Sequence, residues 1–265
     1  LPMVASSGFR SCALFIGLCA LSSSVLADAI SIRADEWLPY NGPSTKKPPG
    51  YMIELAEKIA VANGHTISYA TMPWDDAVSA VRRGAHDCVV GALKADAEGF
   101  AFPNEAWGMS QSAFYTLDDS KWRYAGIDSL ANQRLAVIEG YSYSEEVDAY
   151  IEKFKADPAR IVVISSAGRA QMNAVSRLIS KKADVLVEDI NVAKLTIGKL
   201  NLADRVVMAD VATDPEALYI ACTPADPRGK KYADMFSAGI AKLRASGELA
   251  TILDKYNLSD WATAE

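Results

Sequence analysis

Two hydrophobic periods alternate between Ile30 and Leu93, and from Leu135 the same alternation begins again. Residues 30–37 switch between apolar and polar side chains, the period-2 pattern of a strand. Met52, Leu55 and Ile59 fall at i, i+3 and i+7, one face of a helix, and Asn63-Gly64 closes it with a left-handed cap. Thr66–Thr71 is rich in β-formers. Residues 74–83 predict a short helix entered through Asp75 and closed by Gly84, and residues 88–93 form an apolar run of buried-strand length. Strands and helices in this β-α-β-α-β order predict a sheet with helices on both faces.

The second round begins after an extended run at 111–117 and a polar stretch. Leu135–Ile138 and Ile161–Ile164 read as strands, as do 184–187, 205–208 and 217–223. Val147, Tyr150, Ile151 and Phe154 mark one helix, and Met172, Val175 and Ile179 another. Two more amphipathic faces close the chain: Phe236, Ile240 and Leu243, then, beyond Gly247, Leu249, Ile252, Leu253 and Tyr256. No long Gly/Ser linker separates the units, and the connections near Leu117 and Asp214 look extended. The expected organisation is two α/β lobes, residues 28–117 with 214–265 and residues 118–213. Two strand-like crossings would join them as a hinge with a cleft between.

Residues 12–26, CALFIGLCALSSSVL, are apolar but too short to span a membrane comfortably. They follow Arg10 and end in the small-x-small pattern Val25-Leu26-Ala27, so residues 1–27 read as a secretory signal peptide cleaved after Ala27 or Ala29. Leu18 is too large for the lipid-attachment pattern before Cys19. Cleavage leaves Cys88 and Cys222. An even count in an exported chain permits one disulfide, and two free thiols buried in strands are the alternative.

A formal charge of −6 argues against a nucleic-acid partner, whose phosphates demand a basic face. The sequence has no Walker A, no G-x-G-x-x-G and no H-E-x-x-H, and the carboxylates are too scattered to read as a metal centre. No metal or cofactor is expected. The two histidines, His65 and His86, read as structural or surface residues. Gly140-Tyr141-Ser142-Tyr143-Ser144 approaches a nucleophile elbow but lacks the second glycine. No histidine follows Ser142, so a Ser-acid-His order cannot be completed.

Binding chemistry is better represented. Leu135–Ile138 runs into Gly140 and then a helix, with Ser142 and Glu145 spaced as an S-x-x-E capping box. A helix N-terminus after a strand presents free N–H groups. Asp189 ends a strand just before a helix starting near Ile190, where it would either pair with a ligand ammonium or cap the helix. Trp37, Tyr40, Tyr51 and Trp74 lie on or near loops after strands of the first unit, where they would line a cleft or pack locally.

Taken in order, these pieces resemble the amino-acid type (family 3) periplasmic solute-binding proteins of ABC importers. The matching segments are Trp37–Tyr40, Gly50-Tyr51-Met-Ile-Glu54-Leu55, the Trp74 helix leading to Gly84 and Asp87, Asp184-Val-Leu-Val-Glu-Asp189, and Leu243-Arg-Ala-Ser-Gly247-Glu with Lys255-Tyr256. The resemblance covers roughly Ile30 to Tyr256. It implies a type II periplasmic-binding-protein fold, each lobe a mixed sheet flanked by helices, and a monomer that captures a small solute in the periplasm for an ABC importer membrane subunit. It implies that Asp189 takes a ligand amino group, that Gly91, Ala92, Leu93 and Gly140, Tyr141, Ser142 bring backbone groups to the ligand, and that Tyr40 and Trp74 cover it.

The chain departs from the family at one place. The T-x-x-R arginine that clamps an α-carboxylate is absent: the stretch reads Leu93-Lys94-Ala95-Asp96-Ala97-Glu98-Gly99-Phe100-Ala101-Phe102. Lys94 substitutes only as a point charge, and Arg169 is a second candidate. The ligand class stays open between an amino acid, an amine-like or guanidinium cation and a polar neutral solute. Asp96, Glu98 and Asp189 would suit positive charge if all face the cleft. Two alternative functions remain: an enzyme of the cyclohexadienyl dehydratase kind, with Glu98 or Asp96 moving the proton, and a ligand-binding partner of a sensor.

Overall fold

The computed structural model describes residues 1–3 and 27–263. The core of the expected signal peptide, residues 4–26, lies outside the described residues. No helix among the described residues is long and apolar enough to cross a membrane.

The chain opens with strand β1 (Ala29–Ala34), helix α1 (Tyr51–Ala62), β2 (Thr66–Thr71), α2 (Trp74–Arg82), β3 (Cys88–Ala92) and the short β4 (Gly108–Ser110). It then builds β5 (Ser112–Leu117), β6 (Leu135–Ile138), α3 (Glu145–Phe154), β7 (Ile161–Ile164), α4 (Ala170–Ile179), β8 (Val185–Asp189), α5 (Ile190–Lys199) and β9 (Val206–Val211). Strand β10 (Glu216–Cys222) and helices α6 (Arg228–Ala245) and α7 (Glu248–Asp254) return to the first lobe.

Two five-stranded mixed sheets result, in the orders β2-β1-β3-β10-β4 and β7-β6-β8-β5-β9. In the first, β2 and β3 lie parallel to β1, while β10 runs antiparallel to β3 and β4. In the second, β7 and β8 lie parallel to β6, while β5 is antiparallel to β8 and β9. Each sheet carries its own apolar interior. In the second, β5 sends Tyr115 and Leu117 to one face and Phe114 to the other, as the strand period requires.

Only Gln111 separates β4 from β5, and only residues 212–215 separate β9 from β10, so the chain crosses between the sheets at two adjacent places. The crossings are tied together: Ala212 N–H donates to Ser112 O at 2.8 Å and Ser112 N–H to Thr213 Oγ1 at 2.9 Å.

The structure corrects three expectations. The first crossing falls at Gln111 rather than near Leu117, because β5 is paired on both sides within the second sheet. Strand β4 was not expected, since three residues carry no readable period. Ser144, not Ser142, caps α3, its Oγ accepting from Val147 N–H at 3.3 Å. Tyr143 delays the helix: its ring is buried, and its hydroxyl accepts from Ile138 N–H at 3.0 Å, so regular helix starts only beyond it.

Cys88 and Cys222 are opposite each other across β3 and β10 and form a disulfide, spanning 134 residues of sequence. Of the two alternatives for these cysteines, the structure contains the bridge. The bond joins the strand that enters the cleft to the strand that returns from the hinge. Replacing both cysteines by alanine should lower stability by about 2–4 kcal/mol, read from urea midpoints, because the unfolded chain loses a long-loop constraint.

Candidate functional site

Strands β1, β3, β6 and β8 all direct their carboxyl ends toward the space between the sheets, the position where open α/β sheets collect ligands. The cleft there has an empty volume of about 500 Å³, its mouth included.

The loop after β1 is wound tightly around Trp37. Its N–H donates to Asn41 O at 2.7 Å, and its carbonyl accepts from the N–H groups of Tyr40 and Asn41. Asn41 Nδ2 donates to Asp35 O at 2.5 Å and reaches Tyr69 Oη at 3.4 Å. After β3, Gly91 has φ +82°, and a Cβ there would stand 3.3 Å from both Asn41 Oδ1 and Trp37 Cε3. Glycine keeps that space open.

Four carboxyl groups border the cavity. Burial raises Glu188 to about 8, opposed by hydrogen bonds to Oε1 from Asp189 N–H at 2.8 Å and Trp37 Nε1 at 3.2 Å. Its Oε2 is buried without a partner. Burial also raises Asp35, to about 7, although Tyr141 donates to its Oδ2 at 2.5 Å. Asp96 rises to about 6 by burial, against a hydrogen bond from Leu93 N–H at 2.9 Å and one from Ser142. Asp189 is pushed up by burial as well, and its donors oppose the shift. Its Oδ1 caps α5, accepting from Asn191 N–H at 2.9 Å and Val192 N–H at 3.0 Å. Its Oδ2 accepts from Ser110 Oγ at 2.8 Å, Tyr40 Oη at 3.0 Å and Gln111 N–H at 3.2 Å.

Of the residues anticipated from sequence, the structure brings Trp37, Trp74, Gly91, Leu93, Tyr141, Ser142 and Asp189 to the cavity. Tyr40 sits just behind it on Asp189, and Tyr51 lies deeper, its hydroxyl donating to Trp107 O at 3.1 Å. Ala92 is buried within β3. Gly140 is on the exposed rim, where a Cβ would come within 2.5 Å of Asp75 Oδ1. Lys94 is exposed, its ammonium 5.2 Å above the Tyr219 ring. Arg169 is exposed at the start of α4 and borders a separate groove with Glu36 and Lys199. Glu98 is exposed too. Neither expected cation reaches the cavity: both are exposed and neither lines it.

Asp35, Asn41, Tyr143 and Glu188 were not anticipated. One signal was readable: Glu188 and Asp189 are two adjacent charged residues that end an apolar strand, Val185-Leu-Val-Glu-Asp189, and both are buried. A charge in that setting is seldom buried without a purpose.

A family model, bacterial extracellular solute-binding proteins, family 3, matches residues 30–259. The chain belongs to that family. Solved structures share its fold. One is a histidine kinase sensor domain with similarity to periplasmic binding proteins, 20% identical, covering 86% of this chain and 95% of that one, with TM-score 0.68. A second is a mutant of the arginine-binding protein of T. maritima, 18% identical over 87% and 95%, TM-score 0.70. A third comes from work on glutathione import through GshT and the cystine ABC importer TcyBC of Streptococcus mutans, 16% identical over 87% and 95%, TM-score 0.71. No curated protein matches the sequence. The family is one of two-lobed solute binders, and the cavity occupies the space between the lobes.

The raised carboxyls tie stability to pH with a definite sign. Asp35 and Glu188 hold protons in the folded, ligand-free protein well above the pH at which they ionise when unfolded. The folded state therefore binds more protons, so stability is greatest below about pH 4 for these groups and is lost as pH rises through about 7 to 8. Urea titrations from pH 5 to 9 should show stability falling, by up to about 1.4 kcal/mol per pH unit for each group still protonated. Glu188→Gln should flatten that fall.

Proposed function

We propose that this protein captures one small polar solute, an amino acid or an amine-like compound, between its lobes in the periplasm and presents it to the membrane subunits of an ABC importer. It binds without turning over. The observation that carries this reading is the set of bonds across the cavity. Trp37 Nε1 on Glu188, Tyr40 Oη on Asp189 and Tyr141 Oη on Asp35 each join one lobe to the other around the same space. A solute in that space touches both lobes, binds the closed arrangement better than an open one and shifts the population toward it. Trp37, Trp74 and Tyr141 cover the solute, while Gly91, Leu93 and Ser142 bring the loops of both lobes close to it.

Import is favoured because one of the solved structures of this fold comes from work on a cystine ABC importer. The likeness to a sensor domain favours a second reading, capture for a signalling membrane protein. Vesicles carrying the importer distinguish the two, since solute-loaded protein should stimulate ATP hydrolysis only under the first.

Calorimetry should give one solute per chain, X-ray scattering a smaller radius of gyration on binding, and mass spectrometry a solute recovered unchanged. Recovery of a converted product would replace capture with an enzymatic reading.

A further inference from the structure

We propose that the cavity selects a small cation that carries N–H donors and lacks a carboxylate, a primary ammonium or guanidinium group, held by Glu188 Oε2 and Asn41 Oδ1. This rests on the solute-binding reading and names the ligand class for that same site.

The first observation is the charge of the lining. Among the described residues, four carboxyl groups border the cavity and no lysine or arginine does. A ligand carboxylate would enter a space enclosed by acids with no guanidinium to receive it. Such a buried, unpaired anion is strongly disfavoured. A cation meets the opposite situation.

The second observation is independent of charge. Glu188 Oε2 and Asn41 Oδ1 are both buried, both border the cavity and both lack a hydrogen-bond partner. With Glu188 ionised, as a bound cation would hold it, both are acceptors, so the missing complement is a pair of donors. The neighbouring groups are already engaged. Glu188 Oε1 is held by Trp37 and Asp189 N–H, both Asp189 oxygens have donors, and Asp35 Oδ2 is held by Tyr141. The orientation of the Asn41 amide is fixed, because turning it over would set its oxygen against Asp35 O, which Nδ2 now contacts at 2.5 Å. Its Oδ1 therefore faces the space in front of Gly91, beside the Trp37 ring. A quaternary ammonium has no N–H and would leave both acceptors unsatisfied. The aromatic walls, Trp37 and Tyr141, suit a cation's body, and the room available restricts it to a compact one.

The test uses matched pairs on the ligand-free wild-type chain by calorimetry. Ethanolamine is compared with L-serine, putrescine with L-ornithine, and methylammonium with tetramethylammonium. The carboxylate-free member of each of the first two pairs should bind at least tenfold tighter, and tetramethylammonium at least tenfold weaker than methylammonium. Glu188→Gln should weaken the cation at least tenfold while its ligand-free melting temperature stays at or above wild type. Tighter binding of L-serine and L-ornithine would overturn the inference and leave solute capture standing. So would a folded Glu188→Gln that binds the cation as wild type does. Failure of every cation, amino acid and neutral solute to bind would overturn the inference together with solute capture. Should Glu188→Gln not fold, the wild-type pairs decide alone.

Discussion

Asp189 is the carboxylate to which both lobes, a hinge crossing and a helix N-terminus are tied. Its Oδ1 satisfies two N–H groups at the start of α5. Its Oδ2 gathers Tyr40 from the first lobe, Ser110 from the end of β4 and the Gln111 N–H at the crossing. A buried carboxylate is tolerable when its charge is spread over several donors, and here the donors come from parts of the chain far apart in sequence. The crossing is thereby held against the second sheet, with Ile190 N–H returning a bond to Gln111 O at 2.9 Å. The same engagement gives both Asp189 oxygens donors from within the protein. The free acceptor is its neighbour, Glu188, which reaches the cavity from the preceding position of β8.

The aromatic residues that close the lobes also set the electrostatics. Trp37, Tyr40 and Tyr141 each hand one hydrogen bond to a carboxyl group of the opposite lobe. Closing the lobes therefore withdraws water from the acids at the moment it makes the cross-lobe bonds. Without a bound cation, desolvation is met by protons, which is why Asp35 and Glu188 titrate so far above ordinary carboxyls. A bound cation would take the place of those protons. Closure and ligand charge are then one physical problem: the closed cavity is comfortable only when its negative charge is neutralised.

Much of the fold was legible because hydrophobic period is a local property. The strands at Thr66–Thr71, Leu135–Ile138 and Ile161–Ile164 coincide with the patterns read from sequence, as do the Gly64 cap and the Gly247 interruption. Sheet membership was less legible. Residues 112–117 read as a strand whichever lobe they join, and only their pairing with β8 and β9 assigns them. Part of the candidate site was legible too. Trp37, Trp74, Gly91, Tyr141 and Asp189 lie at or just after strand ends and line the cavity, where an α/β sheet presents ligand groups. Lys94 and Arg169 were plausible by position in the chain, but their side chains are exposed and do not line the cavity.

By itself, the sequence determined that the chain makes two α/β lobes with a cleft between them, and that the arginine expected for a carboxylate is missing. The first follows from residue type and spacing along the chain and the second from the resemblance to the family's T-x-x-R pattern, and neither needs knowledge of distant contacts. Only the tertiary structure decided that Cys88 meets Cys222, that Asp189 ties the lobes together, and that Glu188 and Asn41 are left with unpaired acceptors in an acidic cavity. A hydrogen bond is satisfied or orphaned by whatever the fold brings within about 3 Å. At this site those partners come from up to 151 residues away along the chain.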